Sequence, residues 1–299
     1  MSIHSLAVLI TSFNRRESTL ASLKSLFLQE TPEDLQLAVI LVDDGSTDGT
    51  GDAVRSMFPQ VRVLDGDGSL FWNGGMRKAF ATALMESFDA YLLLNDDTIL
   101  YKDAVARAIA CATALQQSGS PAIVVGSIRS HQTGDLSYGG ISMRTRGWAI
   151  KFEKVQPHET SASLCDTMNA NFALIPKQVA AVLGNLESRF RHQFGDLDYG
   201  LRASCAGFQV TLIPGYAGEC NPNSSAGSWR DPKIAFAQRW RHLLSPKGVP
   251  FPEWRLFTSR HYGWRWPFYA ASPYLKTIIS SLLSRKRTQA GGGMALPQQ

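Results

Sequence analysis

Four short, almost wholly apolar runs in the first hundred residues each stop at a cluster of acidic, amide or hydroxyl side chains. Residues 6–11 stop at Ser12 and Asn14, and residues 37–42 at Asp43-Asp44-Gly45-Ser46. Residues 61–64 stop at Asp65-Gly66-Asp67-Gly68, and residues 90–94 at Asn95-Asp96-Asp97. Runs this short and this apolar fit strands buried on both faces. Between them lie stretches with helical apolar spacing: 18–28 (Leu20, Leu23, Phe27, Leu28), 47–57 and 76–88. Alternating strand and helix at this pace predicts an α/β fold whose mainly parallel sheet is flanked by helices. In such a sheet the ligand crevice lies beyond the carboxyl ends of the strands, where all four polar clusters fall.

Further along, the sequence predicts a helix to Gln117, an apolar run at 122–125 and a hairpin region or loop at 126–148. Core-like patterning resumes at 168–175 and 179–183, a helix opens at Gly195, and a strand follows at 209–213. Composition shifts near Glu219 to aromatic and basic residues. The expected domains are therefore residues 1–220, a C-terminal aromatic and basic extension at 221–288, and a disordered Gly-rich tail at 289–299.

Apolar residues make up 44% of the 299, which excludes a mainly disordered chain, and no run of 18 apolar residues predicts a membrane span. The run at 6–10 is too short for a signal peptide, and Cys111, Cys165, Cys205 and Cys220 lack CxxC spacing, so reduced thiols in the cytoplasm are expected. Charge is uneven. From Trp229 onward there are 12 lysines and arginines against 2 acids, although the whole chain is only +5. Residues 254–287 interleave Trp264, Trp266, Phe268, Tyr269 and Tyr274 with basic residues, and Leu275, Ile278, Ile279, Leu282 and Leu283 mark an apolar helical face. That pattern suits an interfacial helix on an anionic membrane; a helix packed on the catalytic domain is the alternative.

Each acidic cluster has a plain reading and a chemical one. Asp43 and Asp44 stand where carboxylates can accept from a nucleobase N–H and ribose hydroxyls; the plain alternative is that Asp44 or Ser46 caps the next helix. Asn95-Asp96-Asp97 places adjacent carboxylates after an apolar strand, costly unless a cation compensates, and Mg²⁺ is commonly held by one or two carboxylates plus substrate phosphates. Residues 66–75, which include Asn73, lead into a helix whose first turn carries Arg77 and Lys78, within reach of phosphate. Asp196 and Asp198 sit at a helix start, either as a general base or as dipole-stabilising acids.

Taken in order, Thr11-Ser12-Phe13-Asn14-Arg15, Asp43-Asp44-Gly45-Ser46-Thr47-Asp48, Asn95-Asp96-Asp97 and Gly195-Asp196-Leu197-Asp198-Tyr199 resemble the family 2 glycosyltransferases, and among them bacterial rhamnosyltransferase-like members. The resemblance spans roughly residues 6–214. It implies a Rossmann-like GT-A fold, inversion at the sugar, and a nucleotide-diphosphate sugar donor. Thr11, Ser12 and Asn14 would line the nucleotide pocket and Asp43 or Asp44 would read the base. Asn95-Asp96-Asp97 takes the DXD-like position, with Asp97 the ligand of Mg²⁺ or Mn²⁺ and Asp96 a ribose or metal contact. Where the family often reads Glu-Asp, this chain has Gly195-Asp196, so Asp196 would be the base, with Asp198 its competitor. No His stands at 216–223 to complete a metal site, and the thiol of Cys220 suits these hard ions poorly.

The resulting expectation is a cytoplasmic enzyme, peripheral on the inner face of the membrane. It would transfer sugar to a glycan or lipid-linked acceptor in cell-surface polysaccharide synthesis, with no nucleic acid partner. A nucleotidyltransferase would need a basic Gly-rich triphosphate loop, which the sequence lacks. A non-catalytic binding protein would leave the acidic strand ends without purpose.

Overall fold

The computed structural model describes residues 2–221, 227–231 and 233–291, with side chains through residue 282. The chain divides into two compact units, Met1–Pro222 and Asn223–Gln299. The first opens with β1 (Ser5–Ser12), α1 (Arg16–Phe27), β2 (Gln36–Asp43), α2 (Thr50–Met57), β3 (Val61–Asp65), α3 (Phe71–Glu86) and β4 (Ala90–Leu94). It continues through β5 (Ile99–Leu100), α4 (Ala104–Gln117), β6 (Ala122–Arg129), β7 (Leu136–Tyr138), β8 (Gly140–Arg146) and β9 (Ala149–Lys154). Then come β10 (Ser163–Cys165), β11 (Thr167–Met168), β12 (Phe172–Pro176), α5 (Lys177–Leu183), α6 (Gly195–Cys205) and β13 (Gln209–Glu219).

The main sheet runs β10-β13-β6-β12-β4-β1-β2-β3. β3, β2, β1 and β4 pair in parallel, and the chain reverses its direction of travel between β1 and β4. β12 enters antiparallel to both β4 and β6, with Phe172 opposite Leu94. The beginning of β12 therefore lies beside the carboxyl end of β4. β8, β9 and β11 form a small second sheet, so the 126–148 region is hairpin structure and not a loose loop.

Burial explains the unbroken apolar runs. Leu6, Val8 and Ile10 of β1 face a core layer containing Leu23 and Leu26 of α1 and Ala108 of α4. Ala7 and Leu9 face a second layer containing Met76 and Phe80 of α3 and Tyr199 of α6. With helices on both faces, a polar residue at either parity would be buried without a partner.

The second unit holds α7 (Phe236–Leu244), α8 (Phe251–His261), a short turn at Gly263–Arg265 and α9 (Trp266–Gly291). α9 is built inside out. Its inward residues are Ala270, Pro273, Thr277 and Ser281, while Leu275, Ile278, Ile279 and Leu282 are exposed. The buried hydroxyls are satisfied locally: Thr277 donates to the Pro273 carbonyl and Ser281 to that of Thr277, and the buried Arg239 of α7 donates to Ser280 and Ser281. The Leu283 side chain and residues 292–299 of the expected tail lie outside the described residues, and residues 289–291 continue the helix.

Candidate active site

The reversal between β1 and β4 creates the crevice that open α/β sheets use for ligands, and the loops after these strands carry Asn14-Arg15 and Asn95-Asp96-Asp97. Arg15 Nη1 donates to Asp96 Oδ1 at 3.2 Å and to Asp97 Oδ2 at 2.5 Å. Asp96 is almost fully buried; lost hydration raises its pKa to about 6, against the pull of Arg15, with Asp97 adding repulsion. Asp97 Oδ1 is buried and has no hydrogen-bond partner. Short β5 pairs with the end of β13, which brings Cys220 beside Asp97. Burial, then the neighbouring carboxylate, push that thiol well above its ordinary range, so it stays protonated. Among the described residues, no group of three His, Cys, Asp or Glu side chains is arranged to hold a metal.

Asn14 has φ 52° and joins two loops: its Oδ1 accepts from the Thr47 amide at 2.7 Å and its own amide donates to Ser46 Oγ at 2.9 Å. Thr11 and Ser12 form a buried floor. Ser12 Oγ lies 2.8 Å from Thr19 Oγ1 and also hydrogen-bonds Asp96. Gly75 of α3 packs so tightly over Thr11 that an added Cβ would come within 2.0 Å of its Oγ1. Asn95 Oδ1 accepts from the Trp72 indole at 2.8 Å, tying the β4 end to α3.

Asp44 holds the glycine loop instead of lying open to a base. Its carboxylate accepts from the amides of Gly68, Leu70 and Phe71 at 3.0, 3.2 and 2.9 Å, so it caps α3 and not the helix that follows it in sequence. Asp43 is buried and accepts from the Ser46 amide at 3.1 Å.

Three expected site residues face elsewhere. Asn73 is fully buried and donates to the carbonyls of Glu187 and Phe190 at 2.9 and 2.6 Å, with Oδ1 packed on Gly195. Arg77 donates to the Leu186 carbonyl and its own carbonyl accepts from Asn185 at 2.9 Å, directing it to the 185–187 loop and away from phosphate. Asp198 is wholly buried and accepts from Arg202 Nε at 2.9 Å; Arg202 also donates to the carbonyls of Leu183 and Asn185. Asp198 therefore cannot meet a substrate hydroxyl, and Arg202 is committed to the scaffold.

Asp196 differs. It is half-buried in the first turn of α6, accepting from the amides of Leu197 at 2.8 Å and Ala170 at 3.3 Å. Burial raises its pKa in spite of those amides and the Asn169 side chain. Ala170 precedes Asn171, whose carbonyl accepts from the Asn95 amide at 3.1 Å. This relay of backbone bonds places Asp196 at the same sheet edge as Asp96 and Asp97. Arg15 and Trp72 lie inside the Thr11–Arg15 and 66–75 segments but carry no role in the sequence reading, and nothing local announces the β12 start.

Residues 7–177 match the family described as glycosyl transferase family 2. The chain belongs to that family. Membership displaces the nucleotidyltransferase reading. No curated protein matches this sequence. Among solved structures, the mannosyltransferase PcManGT from Pyrobaculum calidifontis, in complex with GDP-Man and Mn²⁺, is similar at 14% identity and a TM-score of 0.55, over 99% of this chain and 77% of that one. GalNAc-T7 with UDP, GalNAc and Mn²⁺ is similar at 13% identity and a TM-score of 0.57, over 75% of this chain and 44% of that one. At these identities the likeness shows the shared GT-A fold and no more.

Proposed function

We propose that this family 2 glycosyltransferase moves a sugar, with inversion, from a nucleotide-diphosphate sugar to a hydroxyl of a glycan or lipid-linked acceptor in cell-surface polysaccharide synthesis. The observation that carries this reading is the contrast within one helix turn. Asp196 is only half-buried beside the acidic strand end, whereas Asp198 is fully buried against Arg202. Asp196 takes the acceptor proton as the hydroxyl attacks the anomeric carbon. The amides of Leu197 and Ala170 fix the orientation of its carboxylate.

The acidic pair fits a hard divalent ion. Asp97 offers a buried oxygen that Arg15 does not reach, and Asp96 stands beside it. Asp97 and Asp96 would hold Mg²⁺ or Mn²⁺, which when bound supplies positive charge to the departing nucleoside diphosphate. Both similar structures contain Mn²⁺, in keeping with this assignment. The nucleoside lies over the Asn14–Ser46 junction in this reading, with Asp43 near the base.

The raised pKa of Asp196 has a kinetic signature. A base must be unprotonated to act, so activity falls on the acid side at a pH above the ordinary aspartate range of about 3.9. The test is the pH profile of kcat/KM. An acid limb at the ordinary aspartate value would remove Asp196 from the role.

The exposed face of α9 and the surplus of basic residues after Trp229 support peripheral attachment to an anionic bilayer. Replacing Leu275 and Ile279 together by Glu is expected to weaken binding to phosphatidylglycerol vesicles by at least about tenfold, since each buried aliphatic side chain contributes roughly 1.5–3 kcal/mol. Co-sedimentation of wild type and variant in equal amounts would refute attachment through this face.

A further inference from the structure

One guanidinium nitrogen, Arg15 Nη1, bonds both Asp96 Oδ1 and Asp97 Oδ2, which is the place a bridging cation would take. The Arg15 side chain is 41% exposed, and among the described residues its other guanidinium nitrogens make no hydrogen bond. A guanidinium compensating two carboxylates through a single nitrogen leaves Asp97 Oδ1 without a bond from the arginine. The fork that arginine offers to planar anions is therefore used at one tine only.

We propose that Arg15 is an exchangeable counter-cation: it neutralises Asp96 and Asp97 until a divalent ion arrives, and then passes its guanidinium to the donor's diphosphate. The inference rests on the reading of Asp96 and Asp97 as the metal-holding pair. Its physical basis is that a guanidinium and a divalent ion cannot share one position between the same carboxylates. Arg15 immediately precedes α1 and follows Asn14, whose positive φ turns the chain back at the β1 end. The backbone there is held by Asn14–Thr47, Asn14–Ser46 and Thr19–Arg15 hydrogen bonds, so the side chain can swing while its base stays fixed. The displaced guanidinium remains at the strand-end crevice where a diphosphate would lie, and can bind it bidentately.

Arg15 thus opposes metal in the nucleotide-free enzyme and favours the metal–diphosphate complex. Removing it should move these two affinities in opposite directions, which a purely structural ion pair would not do. Free Mn²⁺ is followed by electron paramagnetic resonance with wild type, Arg15→Gln, Arg15→Lys and Asp97→Asn. Binding of UDP, GDP and dTDP in saturating Mn²⁺ is measured by calorimetry.

Arg15→Gln is expected to bind Mn²⁺ alone about fivefold more tightly, and the nucleoside diphosphate at least about tenfold more weakly, the scale of a lost charge-assisted bond. Arg15→Lys, which keeps the charge, should hold Mn²⁺ near the wild-type affinity. A loss of both affinities in Arg15→Gln, or no change in either, would overturn the exchange. If instead Asp97→Asn binds Mn²⁺ as wild type does, or no diphosphate binds wild type, the metal reading itself fails and the exchange falls with it.

Discussion

Asp196→Asn is expected to lower sugar transfer by about a hundredfold or more, the low end of a positioned general base, while nucleoside diphosphate binding stays within about twofold. The asparagine keeps the shape, and its carbonyl oxygen can keep the shorter bond from the Leu197 amide, while the longer bond from the Ala170 amide to the other carboxylate oxygen is lost. What it loses is the proton acceptor. The desolvation cost relieved by removing the charge offsets the lost Ala170 bond, so thermal stability should change little. Single-turnover transfer and calorimetric titration together check the split between chemistry and binding. Turnover near the wild-type rate would take the base role away from Asp196.

The parallel half of the sheet was readable because its strands are buried on both faces. Residues 90–94 are bounded by the strand itself, and the runs at 6–11, 37–42 and 61–64 differ from β1, β2 and β3 only at their ends. Helix starts were less legible. α3 begins at Phe71, inside what reads as a glycine loop, because Asp44, 27 residues before Phe71, supplies the cap. Local pattern cannot show a cap that arrives from another strand end. The antiparallel entry of β12 and the pairing of β11 with β8 were illegible for the same reason, since partners far apart in sequence decide them. The β8–β9 hairpin, by contrast, is local and falls largely in the region read as hairpin or loop.

The candidate site shows the same division. Asp96, Asp97 and Asp196 lie at one sheet edge, as the strand-end argument requires. Residue type alone could not separate them from Asn73, Arg77 and Asp198, which are equally polar and equally close to motifs. The difference is which partners the tertiary fold supplies. Backbone carbonyls of the 183–190 loop claim Asn73, Arg77 and Arg202, and Arg202 claims Asp198. A polar side chain near a motif is available to substrate only if the scaffold has left it unclaimed.

Asp198 provides the second large effect, and it is one of stability. Asp198→Leu should destabilise the first unit by about 3 kcal/mol, the lower end for breaking a buried ion pair, because Arg202 keeps 22% exposure and two carbonyl acceptors. For a unit of this size that corresponds to roughly 6–12 °C in Tm. The double variant Asp198→Leu with Arg202→Met removes the stranded cation and should recover most of the loss, since paired charges and well-packed apolar groups are often near equal in net stability. Thermal and denaturant unfolding of the three proteins give these numbers, and transfer per folded molecule should stay near wild type in both variants. A loss of transfer as deep as that of Asp196→Asn, with Tm unchanged, would instead put Asp198 in the chemistry. The two acids, two positions apart on one helix, are thus told apart by which quantity each one moves: the rate for Asp196, the melting temperature for Asp198.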